Sequence, residues 1–364
     1  MELEETIKLK YDLKVAIVIL NYNGLHHLKR FLPSIIQHKP DYADIIIADN
    51  ASTDQSLEYL HSSHPGIQIL ELDQNTGYAG GYNNALDQVN AEYYFLLNSD
   101  VEINHTSINA LINFLDNHPA YAACQPKVKS YLQRDEFEYA GASGGWIDFF
   151  GYPLCRGRIL ATNEKDVGQY DDMQRIFWAT GAALMIRSEV FHKVGGFDSD
   201  FFAHMEEIDL CWRIQRIGMH IGVVPESEIY HLGGGTLSYE SPRKTFLNFR
   251  NSLYILAKNQ RGHIVIWMLF IRLVLDGIAG IRFLCLADWR NFMAIIKAHL
   301  HFYVNLPDTW KKRKAFLHRM EEQGIKERVA LDGKYSGCIV WDYFILRKKK
   351  FSQLGINEQR EKEI

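Results

Sequence analysis

The run Val15-Ala-Ile-Val-Ile-Leu-Asn-Tyr-Asn23 decides the fold of this chain, because six successive apolar residues end abruptly in polar ones. An apolar run of this length without alternation is typical of a β-strand that is covered on both faces. Similar runs follow at Asp44–Ala48, Ile67–Leu70 and Tyr93–Leu97, with helical stretches between them. This alternation predicts an α/β fold, with βαβ units around a mostly parallel, Rossmann-like central sheet flanked by helices.

Each of the four predicted strands ends in polar residues. Asn21-Tyr-Asn23 ends the first strand, Asp49-Asn50 the second, Asn75-Thr-Gly77 the third and Asn98-Ser-Asp100 the fourth. In an open α/β sheet, ligands bind outside the carboxyl ends of the strands. The four clusters therefore predict one shared binding site.

Length, charge and cysteine content narrow the class of protein. The chain has 364 residues, which predicts one large domain with an appendage, and 47% of them are hydrophobic, as in a folded protein. A formal net charge of −4 argues against a nucleic-acid binder. The five cysteines are widely spaced and form no C-x-x-C pair, so neither a disulfide framework nor a zinc site is indicated. Residues 1–12 lack the basic start and apolar run of a signal peptide, which predicts a cytoplasmic protein.

Three of the strand-end motifs have both a binding and a structural interpretation. Asp49 is placed to accept bonds from a nucleobase or ribose, or with Ser52 to cap the next helix. The glycine-rich segment Asn75–Ala85 either lets the backbone approach a phosphate at a helix N-terminus or is an ordinary loop. Asp100 is either a turn carboxylate or a ligand for Mg²⁺ or Mn²⁺ that bridges to a diphosphate.

A second group of acidic residues lies further along the chain. Phe201–Arg213 contains Glu206, Glu207 and Asp209 within one predicted helical turn. Carboxylates are favoured at helix starts, but crowded carboxylates also raise each other's proton affinity, as a general base requires. His231, at the end of another predicted strand, is either a metal ligand or a core histidine.

The residues after about 240 have a different character. The segment from Ile264 to Leu286 is long enough to cross a bilayer, but it contains Arg272, Asp276 and Arg282. We therefore expect an amphipathic helix or helical pair at the membrane interface, with a buried helical subdomain as the alternative. The basic stretches 311–314 and 347–350 would favour an anionic inner leaflet. These features predict two regions: 1–240 as the nucleotide-sugar-binding and catalytic domain, and 241–364 as a helical C-terminal region that associates with the membrane.

The order and spacing of these motifs resemble the family 2 glycosyltransferases with the GT-A fold, over about Val15 to Thr236. The sequence is similar in particular to the bacterial branch that contains rhamnosyltransferases. Three runs carry this similarity: Gly181-Ala-Ala-Leu-Met-Ile-Arg187, Val194-Gly-Gly-Phe-Asp198 and Glu206-Glu-Ile-Asp-Leu-Cys-Trp-Arg213. Several ordered motifs are far more specific than any one of them.

The resemblance implies a role for each matching residue. The implied donor contacts are Asn21 and Asn23 for the nucleotide, Asp49 for the base or ribose with Asp54 supporting its loop, and Asn75, Gly77, Gly80 and Asn83 beside the nucleotide and phosphates. Asn98 and Asp100 occupy the aspartate-x-aspartate position, with Asp100 as the principal ligand of a divalent metal, Mg²⁺ or Mn²⁺, and His231 completing its shell. Glu207 matches the acceptor-activating base, flanked by Glu206 and Asp209. Two departures from the family pattern are Asn98 in place of the first aspartate and glutamate in place of aspartate at the base.

The resemblance also implies an activity. We expect an inverting transfer of a sugar, rhamnose being one candidate, from a nucleotide diphosphate donor to the hydroxyl of a lipid-linked glycan used for surface polysaccharide. The expected location is the inner face of the plasma membrane. The alternatives are a nucleotidyltransferase and a non-catalytic nucleotide-sugar-binding protein. A nucleotidyltransferase would normally have a basic glycine-rich signature after the first strand, which Asn21-Tyr-Asn-Gly24 lacks, and the acidic cluster at 206–209 speaks against the non-catalytic protein.

Overall fold

A mixed sheet of nine strands lies at the centre of the computed structural model, which describes residues 11–233 and 241–356. The four predicted strands are confirmed as β1 (Leu13–Asn21), β2 (Ala43–Asp49), β3 (Gln68–Glu71) and β4 (Ala91–Asn98). They pair in parallel in the order β4-β1-β2-β3. Residues 1–10 and Thr236, which the predictions above included, lie outside the described residues.

The remaining strands enlarge this sheet and add a smaller one. They are β5 (Val101–Ile103), β6 (Tyr121–Ser130), β7 (Gly145–Ile147), β8 (Pro153–Cys155), β9 (Arg158–Ile159), β10 (Thr162–Asn163), β11 (Gln174–Arg175), β12 (Ala183–Arg187) and β13 (His220–His231). The large sheet has the order β11-β13-β6-β12-β4-β1-β2-β3, with β5 paired to β13. Strand β12 runs antiparallel to both β4 and β6, whereas β6 and β13 are parallel. Strands β7 to β10 form a small antiparallel sheet.

Helices cover both faces of the large sheet, as the unbroken apolar runs predicted. They are α1 (Leu25–His38), α2 (Ser56–Ser63), α3 (Gly77–Leu86), α4 (Ser107–Asn117), α5 (Ser188–Lys193), α6 (Glu206–Arg216), α7 (Pro242–Asn259), α8 (Ile264–Cys285), α9 (Trp289–Val304), α10 (Leu306–Glu322) and α11 (Ile339–Phe344). Alternate residues of β1 show the division, because Val15, Ile17 and Ile19 belong to one apolar cluster and Ala16 and Val18 to another. Strand burial on both sides explains why the run does not alternate with polar residues.

The C-terminal region begins with four helices and then returns to the N-terminal region. Helix α7 packs against α8, α9 and α10. After α10, the amide of Arg328 donates to the carbonyl of Arg216, and the amide of Tyr335 donates to the carbonyl of Ile147 in the small sheet. Contacts between the two regions are therefore extensive, and the division at residue 240 stays a prediction.

Within the described ranges, α8 is the one helix that is long and apolar enough to cross a bilayer, and only a third of its most apolar part is buried. Of its three charged residues, Arg272 and Asp276 face inward and Arg282 is exposed. Arg272 and Asp276 form an ion pair one helical turn apart, and Asp276 also contacts His299 of α9 and accepts a bond from the hydroxyl of Tyr152. The outer face carries apolar side chains, with the exposed Arg282 near its end. The place of this helix at a membrane interface stays a prediction.

Candidate active site

A cleft of about 780 Å³ opens at the carboxyl ends of the parallel strands. One wall comes from the ends of β1 and β4, and the opposite wall from residues 202–208 and the start of α7. Asp100 and Glu207 both line this cleft. The two acidic motifs that the sequence places more than a hundred residues apart therefore share one cavity, as required if both act on one substrate.

Asp100 is held against a histidine at one corner of the cleft. His231 ends β13, and its Nε2 lies 3.1 Å from Oδ1 of Asp100, while its Nδ1 lies 3.3 Å from Oε2 of Glu138. Burial disfavours the imidazolium, but Asp100 and Glu138 outweigh this effect and raise the pKa of His231 well above its usual range. Burial likewise opposes the charge on Asp100, yet His231 holds the pKa of that carboxyl below its ordinary value.

The chemistry of this corner fits a hard divalent ion. Asp100 offers a carboxylate and His231 an imidazole. Asn98, whose amide nitrogen lies 3.4 Å from His231 Nε2, offers an amide oxygen. The described residues contain no group of three or more His, Cys, Asp or Glu side chains that could hold a metal ion. A metal at this corner would therefore need further ligands. Mg²⁺ and Mn²⁺ commonly take one or two carboxylates and complete their shells with phosphate oxygens and water. The corner therefore suits an ion that arrives with a diphosphate.

Glu206 and Glu207 begin α6 after a backbone turn with unusual geometry. Phe202, His204 and Met205 have φ values of 64°, 68° and 72°, a left-handed region that residues other than glycine rarely adopt. The side-chain amide of Asn251 donates to the carbonyls of residues 201, 203 and 204 and so stabilises the turn. Strained backbone of this kind persists where the surrounding structure enforces it, which is frequent at active sites.

The two glutamates differ in their readiness to ionise. Burial raises the pKa of Glu207 to about 7. Burial and the charge of Glu207 together raise the pKa of Glu206 well above its usual range. Glu207 therefore ionises first, and near neutral pH it can accept a proton while Glu206 stays protonated. The Oε2 atom of each glutamate has no hydrogen-bond partner in the described part of the chain.

Asp209, the third predicted carboxylate, does not line the cleft. It is fully buried and accepts bonds from Arg213, Lys258 and Asn259, with its Oδ2 atom 2.9 Å from nitrogen atoms of both Arg213 and Lys258. Burial opposes its ionisation, but the two cations hold the pKa of Asp209 below its usual range. Its predicted catalytic role is not retained, because these contacts make Asp209 a link between α6 and α7.

The predicted donor residues fall into three groups. Asn23, Asn75, Gly77 and Asn98 line the cleft. Asn21 and Asp49 lie behind its wall, where the amide of Asn21 donates to Asp49 Oδ2 over 2.9 Å and the backbone N–H of Ser52 donates to Oδ1. The buried Asn21–Asp49 pair thus joins the ends of β1 and β2.

Three other predicted donor residues contact neighbouring protein groups instead. Asp54 accepts a bond from the amide of Leu25 at the start of α1. The side chain of Asn83 forms two hydrogen bonds with the backbone of Phe197. Gly80 packs closely on Thr76, because a Cβ atom added to Gly80 would lie 2.6 Å from Cβ of Thr76. Asp54, Gly80 and Asn83 do not line the cleft, and their predicted donor contacts are not retained.

The start of α3 also differs from the phosphate-binding interpretation. Gly77 has a φ of +75°, and a Cβ there would lie 2.4 Å from the carbonyl oxygen of Phe202. That oxygen accepts bonds from the amides of Tyr78 and Ala79, the first N–H groups of the helix. The glycine is required for this close approach, which attaches the turn bearing Glu207 to the helix.

Sequence reasoning missed several residues of the cleft. Glu138, Arg158 and Trp178 belong to the region between β6 and β12, and Arg243 and Lys244 open α7. None of them lies in a motif with recognisable spacing. For Arg243 and Lys244 a signal existed, since basic residues at a predicted helix start oppose the helix dipole.

The family model described as "Glycosyl transferase family 2" matches residues 16–195. The chain is 25% identical over 294 residues to the N-acetylglucosaminyl-diphospho-decaprenol L-rhamnosyltransferase of Mycobacterium tuberculosis, a match that covers 74% of this chain and 91% of that protein. It is 23% identical over 297 residues to the dTDP-rhamnosyl transferase RfbF of Shigella flexneri, with coverage of 78% and 92%.

Among solved structures, the crystal structure of GalNAc-T7 with UDP, GalNAc and Mn²⁺ has a TM-score of 0.53 to this chain at 16% identity. The match covers 68% of this chain and 48% of that one, so it informs on the fold alone. Three findings therefore agree: the family model that matches residues 16–195, the two rhamnosyltransferase relatives and the similarity in fold. The chain belongs to the family 2 glycosyltransferases, has the GT-A fold, and is similar to the rhamnosyltransferases of that family.

Proposed function

We propose that this protein is an inverting glycosyltransferase that moves a sugar, with rhamnose as the first candidate, from a nucleoside diphosphate donor to a hydroxyl of a lipid-linked glycan. The observation that carries the proposal is that Asp100 and Glu207 line one cleft. The names of two relatives, an N-acetylglucosaminyl-diphospho-decaprenol L-rhamnosyltransferase and a dTDP-rhamnosyl transferase, support the acceptor and donor classes. A role in surface polysaccharide synthesis follows from that acceptor class.

Glu207 is the proposed general base. With a pKa of about 7 it is partly ionised at neutral pH, and its carboxylate accepts the proton of the acceptor hydroxyl. The acceptor oxygen then bonds to the anomeric carbon as the bond from that carbon to the donor diphosphate breaks. A single displacement inverts the anomeric centre and leaves the proton on Glu207 and the electron pair on the diphosphate. Glu206, protonated beside it, limits the negative charge in this part of the cleft.

Asp100 and His231 are the proposed metal ligands, with Asn98 as a further oxygen donor. The carboxylate of Glu138 lies 3.3 Å from Nδ1 of His231, an ion pair that helps to hold the imidazole beside Asp100. A bound Mg²⁺ or Mn²⁺ would neutralise negative charge on the departing diphosphate. The Mn²⁺ named with the GalNAc-T7 structure supports the use of this class of ion.

The outer surface of α8 supports peripheral attachment to a membrane. Ile266, Phe270, Val274, Ile278 and Ile281 recur every three or four residues, and each is more than half exposed. This spacing forms one apolar stripe on α8, and Trp267, Trp289 and Trp341 are further exposed indole side chains of the kind that is favoured at a membrane interface. The charges of Arg272 and Asp276 are satisfied inside the protein, so they do not oppose contact with lipid.

The two basic stretches contribute unequally. In 311–314, Lys312 pairs with Asp198 and Asp200, and Arg313 donates to the carbonyls of Ala257 and Gln260, so only Lys311 and Lys314 of this stretch are exposed and its role in lipid binding stays a prediction. In 347–350, the side chains of Arg347 and Lys350 are exposed beside the apolar residues 344–346. We therefore assign attachment to the inner face of the plasma membrane to α8 and to this second stretch.

A panel of nucleotide sugars with and without Mn²⁺, followed by product detection on a prenyl diphosphate-linked glycan, tests the function. We expect one donor to raise the melting temperature and to yield a product of inverted configuration. Glu207→Gln should retain the donor-induced shift and lose turnover, whereas the exposed Glu226→Gln should behave as the wild type. Binding without any transfer by the wild type would reject the enzyme in favour of a nucleotide-sugar-binding protein.

A further inference from the structure

The base turn, residues 200–205, leads directly into α6, and its first five carbonyl groups are all hydrogen-bonded. Nη2 of Arg250 donates to the carbonyls of residues 200 and 201, over 2.8 and 2.9 Å. The carbonyl of Phe202 accepts bonds from the start of α3. Nδ2 of Asn251 donates to the carbonyls of residues 201, 203 and 204, over 3.0, 2.9 and 2.7 Å. Two neighbouring side chains of α7 therefore bind four of these five carbonyls.

The orientation of the Asn251 amide is set by Arg250. Nε of Arg250 donates to Oδ1 of Asn251 over 2.8 Å. A guanidinium group has no acceptor, so the amide oxygen must face Arg250 and the amide nitrogen must face the base turn. Asn251 is fully buried, so bulk water is not available to replace its bonds. A buried carbonyl that loses its partner is costly, and Asn251 serves three of them.

The base turn is strained at residues that belong to the cleft. Phe202, His204 and Met205 have positive φ values, which glycine would adopt at little cost. All three nevertheless line the cleft, as do the two glutamates that follow them. Strain of this kind persists only where surrounding contacts enforce it. The bonds from α7 and from the start of α3 enforce it here, so they also fix the direction in which α6 begins.

Asn251 takes no direct part in the cleft. As far as the chain is described, the residues that line the cleft include neither Asn251 nor Arg250. The Asn251 amide nitrogen ends on the backbone of the base turn, so an effect of this side chain on the reaction has to pass through that turn. Glu206 and Glu207 follow the turn directly.

We propose that Asn251, oriented by Arg250, is a positioning residue for the general base. Its amide holds the base turn in the strained conformation, and this conformation directs Glu207 into the cleft. The inference rests on the proposed function, which takes Glu207 as the base. Without the Asn251 amide, the base turn should relax toward ordinary φ values, which moves Glu207 away from the acceptor hydroxyl and lets water reach its carboxyl.

The test compares Asn251→Ala with Asn259→Ala. Asn259 also lies in α7 and is 1% exposed, but its amide donates to Asp209 and to the carbonyl of Ile255 rather than to the base turn. Both variants lose a buried amide, so both should melt at a lower temperature than the wild type. Only Asn251→Ala should also lower kcat, by about 10²-fold as for a misplaced catalytic group, with the Kd of the donor unchanged.

The pH profile separates positioning from a purely structural role. Burial raises the pKa of Glu207 to about 7, so a relaxed turn that admits water should move the acid limb of kcat/KM toward 4.5, the ordinary value. Glu206, Tyr78 and Cys211 interact electrostatically with Glu207 and are unchanged in both variants. Asn259→Ala should keep the acid limb of the wild type.

A double variant tests whether Asn251 acts through Glu207. Because Glu207→Gln already lacks the base, adding Asn251→Ala should lower kcat no further. A further loss of the full size in the double variant would overturn the proposal. So would an Asn251→Ala enzyme with the kcat and acid limb of the wild type, or one whose loss of kcat Asn259→Ala matches. If Asn251→Ala does not fold, Asn251→Ser, which keeps one donor, takes its place in each measurement.

Infrared titration of Glu207 makes the test independent of turnover. The spectrum of each protein minus that of its Glu207→Gln counterpart isolates the carboxyl band of this residue, and the pH dependence of the band gives the pKa. Absence of sugar transfer by the wild type would reject the proposed function, whereas an unchanged Glu207 titration in Asn251→Ala would reject the positioning role. The two failures are therefore distinguishable.

Discussion

The Nε2 atom of His231 lies 3.1 Å from Oδ1 of Asp100, although 131 residues separate them in the sequence. The contact arises because β5, which follows Asp100, pairs with the end of β13, so that His231 lies opposite Val101. A divalent ion bound at this corner would be shared by the two side chains. Their proximity leads to the first prediction.

Asp100→Asn should weaken the response to metal and donor together, because it removes the only carboxylate at the aspartate-x-aspartate position. We expect kcat/KM to fall by at least about tenfold and the Mn²⁺ concentration for half-maximal activity to rise, as for loss of a metal ligand or its close partner. Activity measured across a Mn²⁺ titration checks this. An unchanged Mn²⁺ dependence would place the metal elsewhere.

Glu207→Gln should lower kcat by about 10²–10⁴-fold, the usual contribution of a general base, with donor affinity unchanged. Glutamine keeps the size of the side chain but cannot accept the proton. Single-turnover kinetics and donor titration separate the two effects, and Glu206→Gln serves as the matched comparison. A larger loss for Glu206→Gln than for Glu207→Gln would exchange their roles.

The activity should rise with pH on its acid limb, with a midpoint near the pKa of about 7 for Glu207. The carboxylate is the active form, so protonation below this pH removes the base. A profile of kcat/KM from about pH 3.5 to 9 reports the pKa in the free enzyme. An acid limb centred near pH 4.5, the ordinary value for a glutamate, would show that burial does not tune this group.

The same pKa predicts a change in stability. Folded Glu207 keeps its proton up to about pH 7, whereas the unfolded chain releases it near 4.5. Between these values folding takes up a proton, so the contribution of Glu207 to stability is present at low pH and is lost as pH rises. We expect Glu207→Gln to melt at a higher temperature than the wild type at pH 8, with a smaller difference at pH 5. Melting curves at both values provide the check.

Asp209→Ala should destabilise the fold without a specific effect on the chemistry. It leaves Arg213 and Lys258 buried without their shared carboxylate, and breaking a buried pair in this way costs about 3–5 kcal/mol. Urea unfolding measures the loss. A stable Asp209→Ala enzyme with a large fall in kcat would return Asp209 to the catalytic residues.

Trp267→Ser combined with Phe270→Ser should release the protein from vesicles of anionic phospholipid. The two side chains are 68% and 60% exposed, so their replacement should leave the melting temperature unchanged. Each buried apolar side chain contributes about 1.5–3 kcal/mol, which predicts at least about a tenfold weaker partition. Vesicle sedimentation measures it, with Leu132→Ser as the control for an exposed apolar residue on the catalytic domain. Equal sedimentation of both variants and the wild type would contradict attachment through α8.

The four parallel strands, the helix that begins at Glu206 and the strand that ends at His231 were predictable from the sequence. Each depends on a local pattern: an unbroken apolar run, or acidic residues followed by helical spacing. The small sheet and the return of residues 325–354 to the catalytic domain were not predictable in this way. Strands of two or three residues have no periodicity of their own and form because their partners are brought to them.

The same distinction holds within the site. Asn83, Gly80 and Asp209 belong to recognisable motifs, yet they contact backbone, a threonine side chain and buried cations, respectively. Glu138 and Arg158 belong to no such motif and line the cleft. A motif identifies residues that the fold requires, but it does not separate those that support the site from those that face it.

The sequence by itself determined the α/β architecture and the family, because apolar periodicity and motif order are properties of the chain. Only the tertiary structure decided which carboxylates face the cleft, that His231 lies between Asp100 and Glu138, and that Arg272 and Asp276 of α8 turn inward. Those outcomes depend on contacts between segments a hundred or more residues apart, and the strand order and packing that create them are not encoded in any local stretch.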